Sequence, residues 1–320
     1  LKMAEKFLEI RGKTYVPDGE GVMSPTYAQQ HAPLEKQKEA VGHAVRATYL
    51  YSAMADLAAL KEKKSYTQAL HRIWSNITDT RMHITGGLGA VHGIEGFGPQ
   101  FLLPNADAFN ETCAAVGNVL FNFRMFLAHK DAKYLDVAEV SLLNNVLAAV
   151  NLEGNKFFYV NPLEADGKYP FNHGTMGRAP WFGTACCPSN MARLLPQVQG
   201  MTYAHDDRNL YLAMYAETST ELDIGGSRLA ISQTTEYPNK GRIEVSLDPQ
   251  KPASFKLHLR IPTWAGEQFV PGKLYRYLNP SSETWKLSVN GESVSSKTEL
   301  GFATVDREWK KGDKVLLELP

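Results

Sequence analysis

The sequence predicts an α+β multidomain chain, a helical domain followed by a β-sandwich, on three observations. Apolar residues recur at helical spacing through roughly the first two thirds of the chain, and short β-favouring runs between turn residues replace them after about Tyr203. Long glycine- and proline-bearing loops separate the helical stretches. A chain of 320 residues is longer than one ordinary core needs, so two domains are expected, 1–204 and 205–320, with the boundary near Ala204 to Arg208.

The segment Leu1 to Arg11 carries Lys2, Glu5, Lys6, Glu9 and Arg11 within an amphipathic pattern, which is unlike a secretory signal and reads as the middle of a helix. Between Ala40 and Leu60, Val41, Ala44, Val45, Ala53, Met54, Leu57 and Ala58 fall at spacings of three and four and predict a helix. Val116, Val119, Leu120, Phe123 and Leu127 predict a second. Leu135, Ala138, Leu142, Leu143, Val146, Leu147 and Val150 predict a third, running on to Val150. Pro188 suits a first helical turn and opens a fourth, Ser189 to Val198. The long loops Gly86 to Pro104 and Gly174 to Pro188 are where function is expected to reside.

Strands are expected at Leu210 to Tyr215, Ser227 to Thr235, Arg242 to Leu247, Phe255 to Ile261 and Lys314 to Leu319, with turns at Asn239-Lys240-Gly241 and Asn290-Gly291. The chain starts without Met and stops directly after a strand-like run, so a fragment of a longer protein, with a truncated second domain, is the expectation.

The 34 basic residues cancel the 34 acidic ones, which argues against a nucleic-acid or anionic-membrane partner and for a neutral substrate such as a sugar. No run of eighteen apolar residues offers a transmembrane helix.

Three cysteines, two of them adjacent, make a poor disulfide framework and a better thiolate metal site. Glu111 and Cys113, two apart, share a side only where the chain is extended, which places them just before or at the start of the second helix. Cys186 and Cys187 precede the fourth, where thiol pKa values fall. Glu111, Cys113, Cys186 and Cys187 supply the four ligands, rich in sulfur, that suit tetrahedral Zn2+. Buried free cysteines, or a closed structural zinc site, are the plainer alternatives. Unpaired thiols favour a reducing, cytoplasmic compartment, although targeting cannot be read from this amino terminus.

The runs HITGGLGAVHGIEGFG, LPNADAFNETCAAVGN, FFYVNPLEADG and WFGTACCPSNMARLLP, with LRIPTWA and SVNGE in the β part, resemble glycoside hydrolase family 127, the β-L-arabinofuranosidases, and its relative family 146. The resemblance implies an (α/α)6 barrel, of which this chain holds the C-terminal portion. It also implies zinc on Glu111, Cys113, Cys186 and Cys187, with Cys186 as nucleophile, Glu95 as general acid/base, and His43, Glu139 and Tyr159 at the sugar. The implied reaction is retaining release of L-arabinofuranose from β-L-arabinofuranosides of plant cell-wall glycans. Alternatives are hydrolysis of another cell-wall glycoside, or a non-catalytic zinc-containing carbohydrate-binding protein. The β part is left with three roles: supporting the barrel, binding sugar, or forming a homodimer contact.

Overall fold

The computed structural model describes residues 1–13, 18–266 and 268–320, which fall into two compact units. One comprises Leu1–His129, Val137–Pro196 and Pro271–Tyr275; the other comprises Lys130–Asp136, Gln197–Val270 and Arg276–Pro320.

The helices are α1 (Lys2–Ile10), α2 (Ala44–Lys61), α3 (Lys64–Thr80), α4 (Thr112–His129), α5 (Ala132–Ser141) and α6 (Cys186–Val198). Helix α2 starts at His43, whose imidazole accepts a hydrogen bond from the Arg46 N–H, and stops at Glu62 in the left-handed region. Its partner α4 is so close that a Cβ on Gly117 would sit 2.0 Å from Thr48 Oγ1, so only glycine fits there. Trp74 of α3 donates to Asn122 Oδ1 of α4 at 2.7 Å, which satisfies a buried indole N–H.

Helix α3 is not among the sequence expectations, although Tyr66, Ala69, Leu70, Ile73, Trp74 and Ile77 form a buried stripe at helical spacing. The third expected helix is interrupted: α5 ends at Ser141, and a π turn, Leu142–Val146, and a 3-10 turn, Leu147–Ala149, follow. Asn161 Nδ2 donates to the Asn145 carbonyl and side-chain oxygens, occupying a backbone acceptor that a regular helix would use. Among the described residues no helix is long and apolar enough to cross a membrane.

The second unit carries β1 (Tyr203–His205), β2 (Asn209–Leu212), β3 (Thr218–Ile224), β4 (Ser227–Thr235), β5 (Arg242–Pro249), β6 (Ala253–Arg260), β7 (Lys286–Val289), β8 (Glu292–Ser293), β9 (Thr298–Glu299), β10 (Phe302–Trp309) and β11 (Asp313–Glu318). They form a five-stranded sheet ordered β1-β2-β6-β10-β9 and a six-stranded sheet ordered β3-β4-β5-β11-β7-β8. All pairings are antiparallel except β2 with β6.

Alternate residues are buried along β4, namely Ser227, Leu229, Ile231 and Gln233, which is the period of a strand with one face in a core. Leu210, Leu257 and Val305 of the first sheet share one apolar cluster with Leu229, Val245 and Leu317 of the second. Asn290 and Gly291 both take positive φ, 52° and 84°, as a tight β7–β8 hairpin requires. Arg260 and Asp136, both buried, pair at 2.7 Å.

Candidate active site

Two helix starts and one loop meet at the site. Glu111 is the last residue before α4, and the irregular segment that carries it is pinned on both sides. Asn110 N–H donates to the Gly89 carbonyl at 2.8 Å and Asn161 N–H to the Phe109 carbonyl at 3.1 Å. Thr112 donates through its N–H to Tyr159 O at 3.0 Å and through its hydroxyl to Phe158 O at 2.8 Å. Cys186 and Cys187 begin α6, where Ser189 Oγ donates to the Ala185 and Cys186 carbonyls.

These placements bring the four expected ligands together. Cys113 Sγ lies 3.2 Å from Cys187 Sγ, and Glu111 Oε1 lies 3.5 Å from Cys186 Sγ and 3.7 Å from Cys187 Sγ. One ligand atom from each of the four residues lies within 4.8 Å of the others. Tetrahedral zinc with bonds of about 2.0–2.3 Å requires sulfur–oxygen edges of about 3.5 Å, which the two Glu111–sulfur spacings match, and sulfur–sulfur edges of about 3.8 Å, longer than the Cys113–Cys187 spacing. The second oxygen of Glu111, Oε2, is buried with no hydrogen-bond partner, as a carboxylate shaped to meet a cation would be. Asn190 Nδ2 donates to Cys113 Sγ at 3.0 Å and its Oδ1 accepts from Tyr49 Oη at 3.2 Å, which orients the sulfur.

The three thiols are shifted in opposite directions. Hydrogen bonds from Cys113 and Cys187, aided by Tyr159 and Glu111, hold the Cys186 thiol far below the ordinary thiol range against the opposing effect of burial. Its bond to Cys186 pushes Cys113 up, and burial does the same for Cys187. Burial and the neighbouring Cys186 charge push Glu111 up to about 8. Cys186 is the one thiol of the three shifted downward, and it is also the least buried of the three cysteines.

Glu95 reaches this cluster from the glycine-rich loop. Val91 and Gly96 exchange two backbone hydrogen bonds of 3.1 Å, which folds residues 91–96 into a tight turn with Glu95 at φ 48°. The turn is fastened to the start of α2 by Ala44 N–H to Glu95 O at 3.1 Å and Phe97 N–H to Gly42 O at 2.9 Å. The approach is close: a Cβ on Gly96 would lie 2.2 Å from Gly42 O, which excludes every larger residue.

His43 Nδ1 accepts from Arg46 N–H, so the ring proton sits on Nε2, which faces Glu95 Oε2 at 3.2 Å. Burial holds the His43 pKa below its ordinary value, with Glu95 opposing. The pair is thus a neutral imidazole donating through Nε2 to a Glu95 carboxyl oxygen. His43, Glu95 and Glu111 also lie within 4.8 Å of one another as a second ligand-type group, so Glu111 belongs to both sets.

Tyr159 is buried beside the sulfurs, and burial raises its hydroxyl pKa, which keeps it protonated. Glu139 is buried in α5 and is not a member of either ligand-type group. Sequence reasoning did not reach Asn190, nor the aromatic wall of Phe109, Phe171 and Phe182 that encloses Cys113, Cys187 and Tyr159. Asn190 stands four residues beyond Cys186, one helical turn on, and that spacing was its only available signal.

A family model described as the β-L-arabinofuranosidase GH127 catalytic domain matches residues 1–200, and the corresponding GH127 middle domain matches 209–320. The chain belongs to glycoside hydrolase family 127. Among curated family 127 relatives, a non-reducing end β-L-arabinofuranosidase of Bifidobacterium longum subsp. longum is 32% identical over 289 residues, 88% of this chain and 41% of the relative. A solved GH127 β-arabinofuranosidase superposes with a TM-score of 0.92 at 43% identity, covering 100% of this chain and 48% of its own. A GH127 β-L-arabinofuranosidase from Geobacillus stearothermophilus T6 gives 0.89 at 34% identity, covering 100% and 50%. This family 127 chain therefore spans about half the length of the relatives it matches.

Proposed function

We propose that the protein containing this chain is a retaining glycoside hydrolase that releases L-arabinofuranose from β-L-arabinofuranosides, with Cys186 as nucleophile and Glu95 as general acid/base. The observation that carries the reading is Glu111, whose carboxylate touches Cys186 and also stands within 4.8 Å of Glu95, so a thiolate and a second carboxylate flank one point. Retaining glycosidases need such a close nucleophile and acid/base pair. In this reading residues 1–204 are the C-terminal portion of an (α/α)6 barrel, and residues 205–320 belong to a β-sandwich.

Cys186 sulfur attacks the anomeric carbon as the glycosidic C–O bond breaks, and Glu95 gives its proton to the departing oxygen. Water then loses a proton to Glu95 while its oxygen displaces sulfur from that carbon, and two inversions leave the configuration retained. Zn2+ bound by Glu111, Cys113, Cys186 and Cys187 would keep the sulfur ionised and aimed. His43, through its Nε2 proton, holds the Glu95 carboxylate in place; Tyr159 and Glu139 contact the sugar.

Release of L-arabinose from a β-L-arabinofuranoside by the full-length protein, with the anomer followed by NMR, tests this. The β anomer must appear first. No release of arabinose, or first appearance of the α anomer, would reject it.

A further inference from the structure

One oxygen of Glu111 is left over by the four-ligand set. Oε1 is the oxygen beside Cys186 and Cys187, at 3.5 and 3.7 Å, and a tetrahedral ion on three sulfurs takes only one oxygen. Oε2 is buried without a hydrogen-bond partner, on a residue only 2% exposed. A buried carboxylate oxygen of that kind calls for a proton or a cation.

The other groups that a cation needs stand beside it. A ligand atom of His43, one of Glu95 and one of Glu111 lie within 4.8 Å of one another. His43 Nε2 and Glu95 Oε2 are 3.2 Å apart, close to the edge of about 3.3 Å that a tetrahedral ion with nitrogen and oxygen bonds of about 2.0–2.1 Å requires. One imidazole and two carboxylates suit zinc and similar transition-metal ions better than magnesium or calcium, and leave a fourth position for water. The Glu95 side chain is 35% exposed, so an ion can enter from solvent.

Electrostatics favour this second ion, and ligand chemistry makes it the weaker one. Zn2+ on three thiolates and the Glu111 carboxylate leaves about two surplus negative charges, to which Glu95 adds another. To coordinate through Nε2, however, His43 must move that proton to Nδ1 and give up its 3.4 Å contact from the Arg46 N–H. Fewer ligands and this exchange rank the site below the sulfur set, which fills first.

We propose that His43, Glu95 and Glu111 form a second, weaker site for a divalent transition-metal ion, and that an ion held there inhibits hydrolysis. With its carboxylate coordinated, Glu95 can neither give nor take the proton that each half-reaction moves. The inhibition rests on the acid/base reading of Glu95, whereas the site itself rests on the geometry.

Full-length protein carrying one zinc per chain, dialysed against rising ZnCl2, tests both parts, with bound zinc counted alongside arabinofuranoside hydrolysis. Wild type should take up a second ion and lose about a hundredfold in activity over the same range of free zinc, and lowering free zinc should restore it. His43→Ala and Glu95→Gln should keep the first ion and need at least about tenfold more zinc to bind the second. Glu95→Gln, which keeps the shape of the side chain, decides the matter should His43→Ala lose the first ion as well. A single ion at excess zinc in wild type, or second-ion uptake unchanged in Glu95→Gln, would overturn the site. Uptake of the second ion with full activity would overturn the inhibition. Wild type that binds both ions but hydrolyses nothing even with one leaves the site standing and overturns the hydrolase reading instead.

Discussion

His43 Nε2 stands 3.2 Å from Glu95 Oε2, and the Arg46 N–H on its other ring nitrogen makes it the donor of that contact. A carboxylate at the tip of a turn, with its side chain about one third exposed, would otherwise sample several rotamers. Converting His43 to Ala should therefore lower kcat while leaving metal content unchanged. His43→Gln, which keeps a donor, should recover part of the loss, and paired kinetic and metal assays check both.

Glu95→Gln should reduce turnover by about 10²–10⁴-fold, the span of general acid/base catalysis. Because His43, Glu95 and Glu111 form a second ligand-type group, the same variant also reports where an ion sits. Full zinc content in Glu95→Gln places it on the cysteines; loss of zinc places it on the second group.

Gly96→Ala should cost about a hundredfold in kcat, because its Cβ would collide with Gly42 O and displace the turn bearing Glu95. Zinc content should persist, since neither Gly96 nor Gly42 belongs to the four-ligand set. Kinetics alongside elemental analysis decides the point.

Asn190 orients Cys113 without being one of the four ligands. Its replacement by Ala should weaken zinc affinity about 10–100-fold, as loss of an orienting partner commonly does. Chelator competition measures this.

In the β-rich unit, His258 donates through Nε2 to Asn209 Oδ1 at 3.0 Å and accepts at Nδ1 from the Thr304 hydroxyl at 2.9 Å, an arrangement for the neutral ring. Burial, with Lys256 nearby, holds its pKa below the ordinary value. The unfolded chain therefore binds this proton first, so the stabilisation is complete above about pH 6.5 and is lost as pH falls toward the folded value. Thermal denaturation of wild type should show that decline as pH falls below about 6.5, and His258→Gln should lack this component.

Much of the fold was readable because it is written in local periods. The stripes around Ala44, Val116 and Leu135 and the alternation through Ser227 to Thr235 each mark an element found in the structure. The break after Ser141 was not readable, since the Asn161 side chain that occupies the Asn145 carbonyl arrives from sixteen residues away. For the site, residue types were informative: Glu111 with Cys113, and the Cys186–Cys187 pair, are of the kinds that hold metal ions, although the same residues also suit a plain buried core. Asn190 carried no comparable mark, because an amide serves packing as readily as binding.

By itself the sequence determined which chemical groups this chain has available and many, though not all, of its helices and strands, because spacing and residue type are local properties. Tertiary structure alone decided that Cys113 and Cys187, 74 positions apart, would stand at 3.2 Å and that Glu111 would reach both Cys186 and Cys187. Ligand geometry and thiol acidity depend on distance and on exclusion of water between segments remote along the chain, and only folding sets those.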